Sequence, residues 1–199
     1  MWDYKANLQK NRIERTNSGE MARKLFLSYP TCAFIDDHEV EFSIRDRVRK
    51  LYQVPLSSVQ VIGSAKTGFS LVKKTEFKKG ASDLDLAIID PTMFAKIWEE
   101  AHEMSRGFEA NRFNDLPDAN GQIVVGSGQK RFLQYIQRGI ISPDYLPQGE
   151  PRRRIIADFA RVTQTYQDNF SKISAFFYCS EYFFQVKQAE AINKHWEAL

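Results

Sequence analysis

Two short apolar runs, Val59–Ile62 and Leu84–Ile89, stand on either side of a polar, lysine-rich excursion. The first run ends in Gly63-Ser64, and the second is opened by Ser82-Asp83-Leu84-Asp85. The first reads as a short strand. The second is almost continuously apolar after its opening acids, as a buried central strand should be. Side chains two apart along a strand share a face. Asp83 and Asp85 therefore project together, while Leu84 and Leu86 turn the other way into packing.

The residue types at these strand ends carry chemistry. Two carboxylates side by side repel unless a cation sits between them. Hard oxygen ligands of this kind suit Mg²⁺ or Mn²⁺, which keep some waters and also bind phosphates. Gly63 lets a backbone approach a phosphate closely, and N–H groups at the start of a helical turn can point at it. Ser64 can donate a hydroxyl hydrogen bond to a phosphate oxygen. Lys66, Lys73 or Lys74 would add charge. A Gly-Ser turn or an Asp-x-Asp is common alone; the ordered pair on two strand ends is more specific.

The rest of the chain fits one domain around these strands. Its 199 residues suffice for one real core, and 15 Phe with 8 Tyr argue against disorder. No window is long and apolar enough for a membrane span. The start has no secretory pattern, and Cys32 and Cys179 are lone cysteines suited to a reducing compartment, so a cytoplasmic protein is expected. The net charge of +3 does not by itself imply a polyanion partner. Residues 1–35 read as a helical extension, with Trp2, Leu8, Ile13, Leu25 and Phe26 as scattered apolar positions. Asp36-Asp37 is placed to cap a helix through Tyr52, and Asp90-Pro91 to start another. Residues 65–81 predict a turn of helix followed by a loop or hairpin. Residues 111–128 predict a loop, and 129–138 a short helix stopped by Gly139. Residues 152–170 predict a long helix, 173–178 a strand, and 182 onward a terminal helix. The fold class expected is α+β, with a central mixed sheet flanked by helices.

Gly63-Ser-Ala-Lys-Thr-Gly68 through Ser82-Asp-Leu-Asp-Leu-Ala-Ile-Ile-Asp90, with Phe94 and Trp98 following, resembles the signature of the polymerase-beta-like nucleotidyltransferase superfamily. It is similar to bacterial nucleotidyltransferase-domain proteins, several of which sit in antiviral defence or toxin–antitoxin settings. The resemblance spans about residues 59–98. It implies a Mg²⁺-dependent transfer of a nucleotide from a nucleoside triphosphate to a protein, RNA or nucleotide acceptor. It also implies metal ligation by Asp83 and Asp85, and nucleotide binding by Gly63, Ser64, Lys66 and Ser82.

The chain departs from that pattern twice. The segment between Ser64 and Asp83 is longer than in minimal members. A third carboxylate, which helps activate the acceptor hydroxyl, has no obvious place: Asp158 falls on a helix, Asp144 in a connector, and Glu181 just past an acid-free strand. Two expectations follow. One is a nucleotidyltransferase; the other is a silent module of the same fold that binds nucleotide, nucleic acid or a partner protein, as an antitoxin or sensor. Three further features carry weaker readings. The lysine-rich loop with Phe69 and Phe77 suits RNA or DNA by charge and stacking, or is plain surface. The aromatic cluster from Phe176 to Phe184 suits a core or an interface, and Arg152-Arg153-Arg154 an anion or solvent.

Overall fold

The computed structural model describes residues 3–198, so Trp2 lies outside the described residues. Eight α-helices are present among the described residues: α1 Tyr4–Ile13, α2 Ser18–Arg23, α3 His38–Tyr52, α4 Gly63–Thr67, α5 Pro91–Met104, α6 Ser127–Ile136, α7 Glu150–Thr165 and α8 Glu181–Glu197. The strands are β1 Val59–Ile62, β2 Leu84–Ile89, β3 Leu116–Pro117, β4 Ile123–Val124, β5 Ile140–Ile141 and β6 Ile173–Tyr178. Four of them form a mixed sheet in the order β1-β2-β6-β5. β2 pairs parallel with β6, while β1 and β5 join as antiparallel outer strands. The class is α+β, as expected.

Alternation along β2 and β6 splits the core into two layers. Leu84, Leu86, Ile88, Ile173, Ala175 and Phe177 pack with residues of α3, α5, α6 and α7. Ala87, Ile89, Phe176 and Tyr178 face α1, α2 and α8. The N-terminal helices thus form part of one layer: Leu8, Met21 and Leu25 are fully buried. Phe26 meets Phe184 of α8 edge to face, at 6.2 Å between ring centres. Two covered faces explain why β2 is apolar without a break from Leu86 to Ile89.

Several local signals act as expected. Asp90 accepts a hydrogen bond from the Met93 N–H at 2.8 Å, with Pro91 at the first helical position. Asp37 does stand at the cap of α3, but its side chain makes no capping bond and instead meets Lys79 at 3.5 Å. Other expectations need correction. The segment 111–128 is not all loop: β3 and β4 form a small hairpin there, and α6 begins at Ser127. α7 stops at Thr165, short of Phe170, because Gln167-Asp168-Asn169 turn the chain back towards β6. β5 was not foreseen, since two apolar residues after a helix carry no period.

The loop between α4 and β2 holds one bridge, Phe69 with Glu76. Its aromatics do not stand free for stacking. Phe69 is buried against the His195 ring, and Phe77 leans on Phe170. The loop therefore presents its lysines and Val72, but neither aromatic ring. Phe177, Tyr178 and Phe184 are core, whereas Tyr182 is exposed. Arg154 is bound to Glu100 of α5 at 2.6 Å and to Glu150 at 3.1 Å, which assigns it to packing between helices. Cys32 and Cys179 are free thiols. Among the described residues no helix is long and apolar enough to cross a membrane.

Candidate functional site

The β1–β2 register sets Ile62 opposite Asp85. The chain leaves β1 one residue later, so Gly63 comes to lie against the Asp85 side chain. Its φ is +66°, and a β-carbon there would stand 3.0 Å from Asp85 Oδ2. Both facts favour glycine, first because left-handed backbone strains a residue with a side chain and then because a carboxylate stands against the space. Helix α4 starts at once, with Gly63 and Ser64 in its first turn.

β6 supplies the opposite wall. Its register with β2 sets Asp85 beside Ser174. The Ser174 hydroxyl donates to Asp85 Oδ1 at 2.9 Å, and the Ser171 hydroxyl donates to Asp83 Oδ1 at 2.7 Å. Each carboxylate thus has one oxygen held by a serine. Asp85 is half-buried and Asp83 exposed. Burial pushes the Asp85 carboxyl above the usual carboxylate range; the Ser174 hydroxyl opposes this, the Asp83 charge adds to it, and Lys172 and Lys73 offset it.

The donor set is all oxygen: two carboxylates and two hydroxyls within one patch. That chemistry fits Mg²⁺ or Mn²⁺, provided water and phosphate oxygens complete the shell. Among the described residues no group of three or more His, Cys, Asp or Glu side chains is arranged to hold a metal. The fit is therefore to a cation arriving with its own anionic ligand.

The other residues named from sequence are distributed as follows. Ser64 stays at the site, half-buried beside Gly63. The Ser82 hydroxyl accepts the Lys78 N–H at 2.9 Å and its carbonyl accepts the Ser171 N–H at 3.2 Å, so it ties the loop to the start of β6. Lys66 is buried, with Nζ donating to the Tyr29 carbonyl at 2.7 Å. Burial lowers its pKa to about 8, against a raising effect from Glu41 and a lowering one from Arg45. Lys66 is committed to the protein, and the cations felt by Asp85 are Lys172 and Lys73.

Sequence reasoning missed Ser171, Lys172 and Ser174. They precede or open a strand whose pairing partner is not legible locally. Of the three carboxylates considered as a third acid, Asp158 meets Tyr52 and Arg161 in the α3–α7 layer. Glu181 opens α8 beyond the far end of β6 and takes Gln185. Asp144 alone shares a cavity with Ser171 and Ser174. That cavity measures about 460 Å³ and lies between α7, the first half of β6 and the Pro143 turn.

The fold is thus an α+β domain in which two carboxylates and a glycine turn meet at one end of the sheet, with Asp85 and Ser174 on the face away from α7 and the cavity on the α7 side of the same end. Compared with protein-family models, curated proteins and solved structures, the chain finds no match.

Proposed function

We propose that this chain binds a nucleoside triphosphate with Mg²⁺ at a site of the nucleotidyltransferase type. The observation that supports this reading is the seating of Gly63 against Asp85, which joins the glycine turn to the carboxylate pair. Gly63 and Ser64 bind the phosphates, and Asp83 and Asp85 hold the cation. Mg²⁺ neutralises the phosphate charge when bound. Ser171 and Ser174 orient the two carboxylates. Lys172 adds positive charge beside the pair.

The neighbour of Asp85 on β6 is a serine, where a third carboxylate would stand beside the pair. This favours a module that binds nucleotide without turning it over, and so acts as a sensor or as a partner of another protein. One observation favours turnover instead: Asp144 stands on the rim of the cavity that Ser174 lines. In that reading Asp144 accepts the proton of an acceptor hydroxyl on RNA, protein or a second nucleotide.

The test uses labelled nucleoside triphosphates, Mg²⁺ and cell extract, with the natural chain, Asp83→Ala/Asp85→Ala and Asp144→Asn. Both readings require that Mg²⁺ with triphosphate raises the thermal midpoint of the natural chain and not of the double variant. No stabilisation in either would remove the nucleotide reading altogether. Label transfer lost in both variants establishes turnover; binding without transfer establishes the silent module.

A further inference from the structure

The β3–β4 hairpin has one closed edge and one open edge. Asp118 N–H donates to the Gln122 carbonyl at 2.8 Å, so the backbone of this pair faces inward across the hairpin. Backbone groups alternate in direction along a strand. Those of Pro117 and Ile123, the next pair in register, therefore point away from each other. On the β3 side the outward position is a proline, which has no N–H to offer an added strand. On the β4 side it is Ile123, whose N–H and carbonyl face away from the one strand that β4 pairs with among the described residues. Ile123 is 64 % exposed, Val124 is exposed, and Val125, next in the outward parity, is 89 % exposed.

The hairpin is held in shape from within. The Asp118 carboxylate accepts the Asn120 and Gln122 N–H groups at 2.8 and 2.9 Å, and Asp115 accepts the Gly126 N–H at 2.8 Å. Leu116 N–H donates to the Ser127 hydroxyl at 2.7 Å, which ties the hairpin to the start of α6. An edge fixed in this way loses little freedom when a partner pairs with it. Three β-branched apolar residues in succession on an exposed edge are what natural proteins usually cover or break with charge. Here the charge stands beside the edge and has one sign. Val124 and Val125 share a groove of about 490 Å³ with Lys130 and Arg131 of α6. Both cations are exposed, and neither pairs with an acid of this chain among the described residues. Arg131 lies over the Tyr145 ring, 5.9 Å from its centre, and keeps its charge for the groove.

We propose that the open edge of β4 takes an extended peptide segment of a partner protein, in which apolar residues alternate with acids. The Ile123 N–H and carbonyl bind its main chain by strand addition. Its apolar side chains cover the Ile123-Val124-Val125 run, and its acids reach Lys130 and Arg131. A second copy of this chain fits less well. A two-fold contact sets each surface patch against itself, so each copy would bring its own Lys130 and Arg131 to the shared edge. The nearby Asp115 and Asp118 are already engaged with backbone N–H groups and do not offset that charge. The edge belongs to a sheet separate from the one that carries Asp85, so peptide capture does not require a nucleotide.

The probe is a capped synthetic peptide, Glu-Val-Glu-Val-Glu-Val, with Lys-Val-Lys-Val-Lys-Val as its charge-reversed counterpart. Binding to the whole chain is followed by NMR through the Ile123 and Val125 amides. The expected result is that the acidic peptide shifts both amides and binds about tenfold tighter than the basic one at low salt. That gap closes as salt rises. Ile123→Pro removes the outward N–H without removing a bond between β3 and β4, and abolishes binding of the acidic peptide. Lys130→Glu with Arg131→Glu changes only exposed positions of α6 and reverses the preference, so it decides the question by itself if the proline variant does not fold. Amides that move with neither peptide, equal binding of the two, or a preference unchanged by the charge reversal would each overturn the peptide site. So would acidic-peptide binding retained by a folded Ile123→Pro. A dimer of the natural chain whose Ile123 amide is protected without any peptide would overturn it as well, and would make a second copy the occupant.

Discussion

Lys66 and Gly63 sit three residues apart in one turn and have opposite relations to the site. Gly63 is favoured by what it touches; Lys66 is charged side-chain material folded inward. Its pKa in the folded chain is about 8, against an ordinary 10.5. Between those values the unfolded chain keeps the proton and the folded chain sheds it. Stability therefore rises with pH across that window, and the cost of the buried charge is fully present below it. Lys66→Met removes the titrating group. Urea midpoints of the two proteins should converge as pH climbs from about 8 to about 10.5, with the variant ahead at neutral pH. A difference independent of pH would refute the buried-charge account. In sequence Lys66 looked like a phosphate ligand because charge next to Gly-Ser suggests one. Burial depends on where Tyr29 lies, and that is set by tertiary packing. Asp83 and Asp85 were legible because strand parity alone fixes their common side.

At the scale of elements, the strands and most helices follow from period and caps, while the ends do not. β2 announced itself by composition, and α5 by Asp90-Pro91. β5 did not, because its two residues gain their strand character only from β6. At the start of β6 the edge turned away from β2 is secured differently, by α7 rather than by a second strand. The Thr163 hydroxyl accepts the Ile173 N–H at 2.9 Å while donating to the Phe159 carbonyl at 2.8 Å. Thr163→Val keeps the shape and removes that acceptor. It should destabilise the protein by about 1–3 kcal/mol, the usual cost of leaving a buried donor unsatisfied. Chemical denaturation at neutral pH checks this; a change below a few tenths of a kcal/mol would mean that water replaces the hydroxyl. The serines that hold the carboxylates depend on the same strand end, and so were invisible until β6 was paired.

The whole molecule behaves as one packed body on both sides of its sheet. The N-terminal helices looked like an extension in sequence because their apolar residues are few and scattered. In the fold, Leu25 is fully buried in the layer shared with α8. Leu25→Ala should cost about 2–5 kcal/mol, in line with large-to-small changes in cores. Helical circular dichroism and tryptophan fluorescence should still report one coincident unfolding transition. An early, separate loss of helix signal would show the N-terminal segment to be independent. The parallel pairing of β2 with β6 has a further consequence for timing. It aligns Leu84 with Ile173, a separation of 173 − 84 = 89 positions. Contacts so distant along the chain form slowly, because the intervening segment must be closed into a loop first. Ser171 and Ser174 reach the carboxylates only through that pairing. During synthesis the acidic pair is thus made well before its hydroxyl wall exists, and the Ser171 and Ser174 bonds to it form only when the last strand has been delivered and docked.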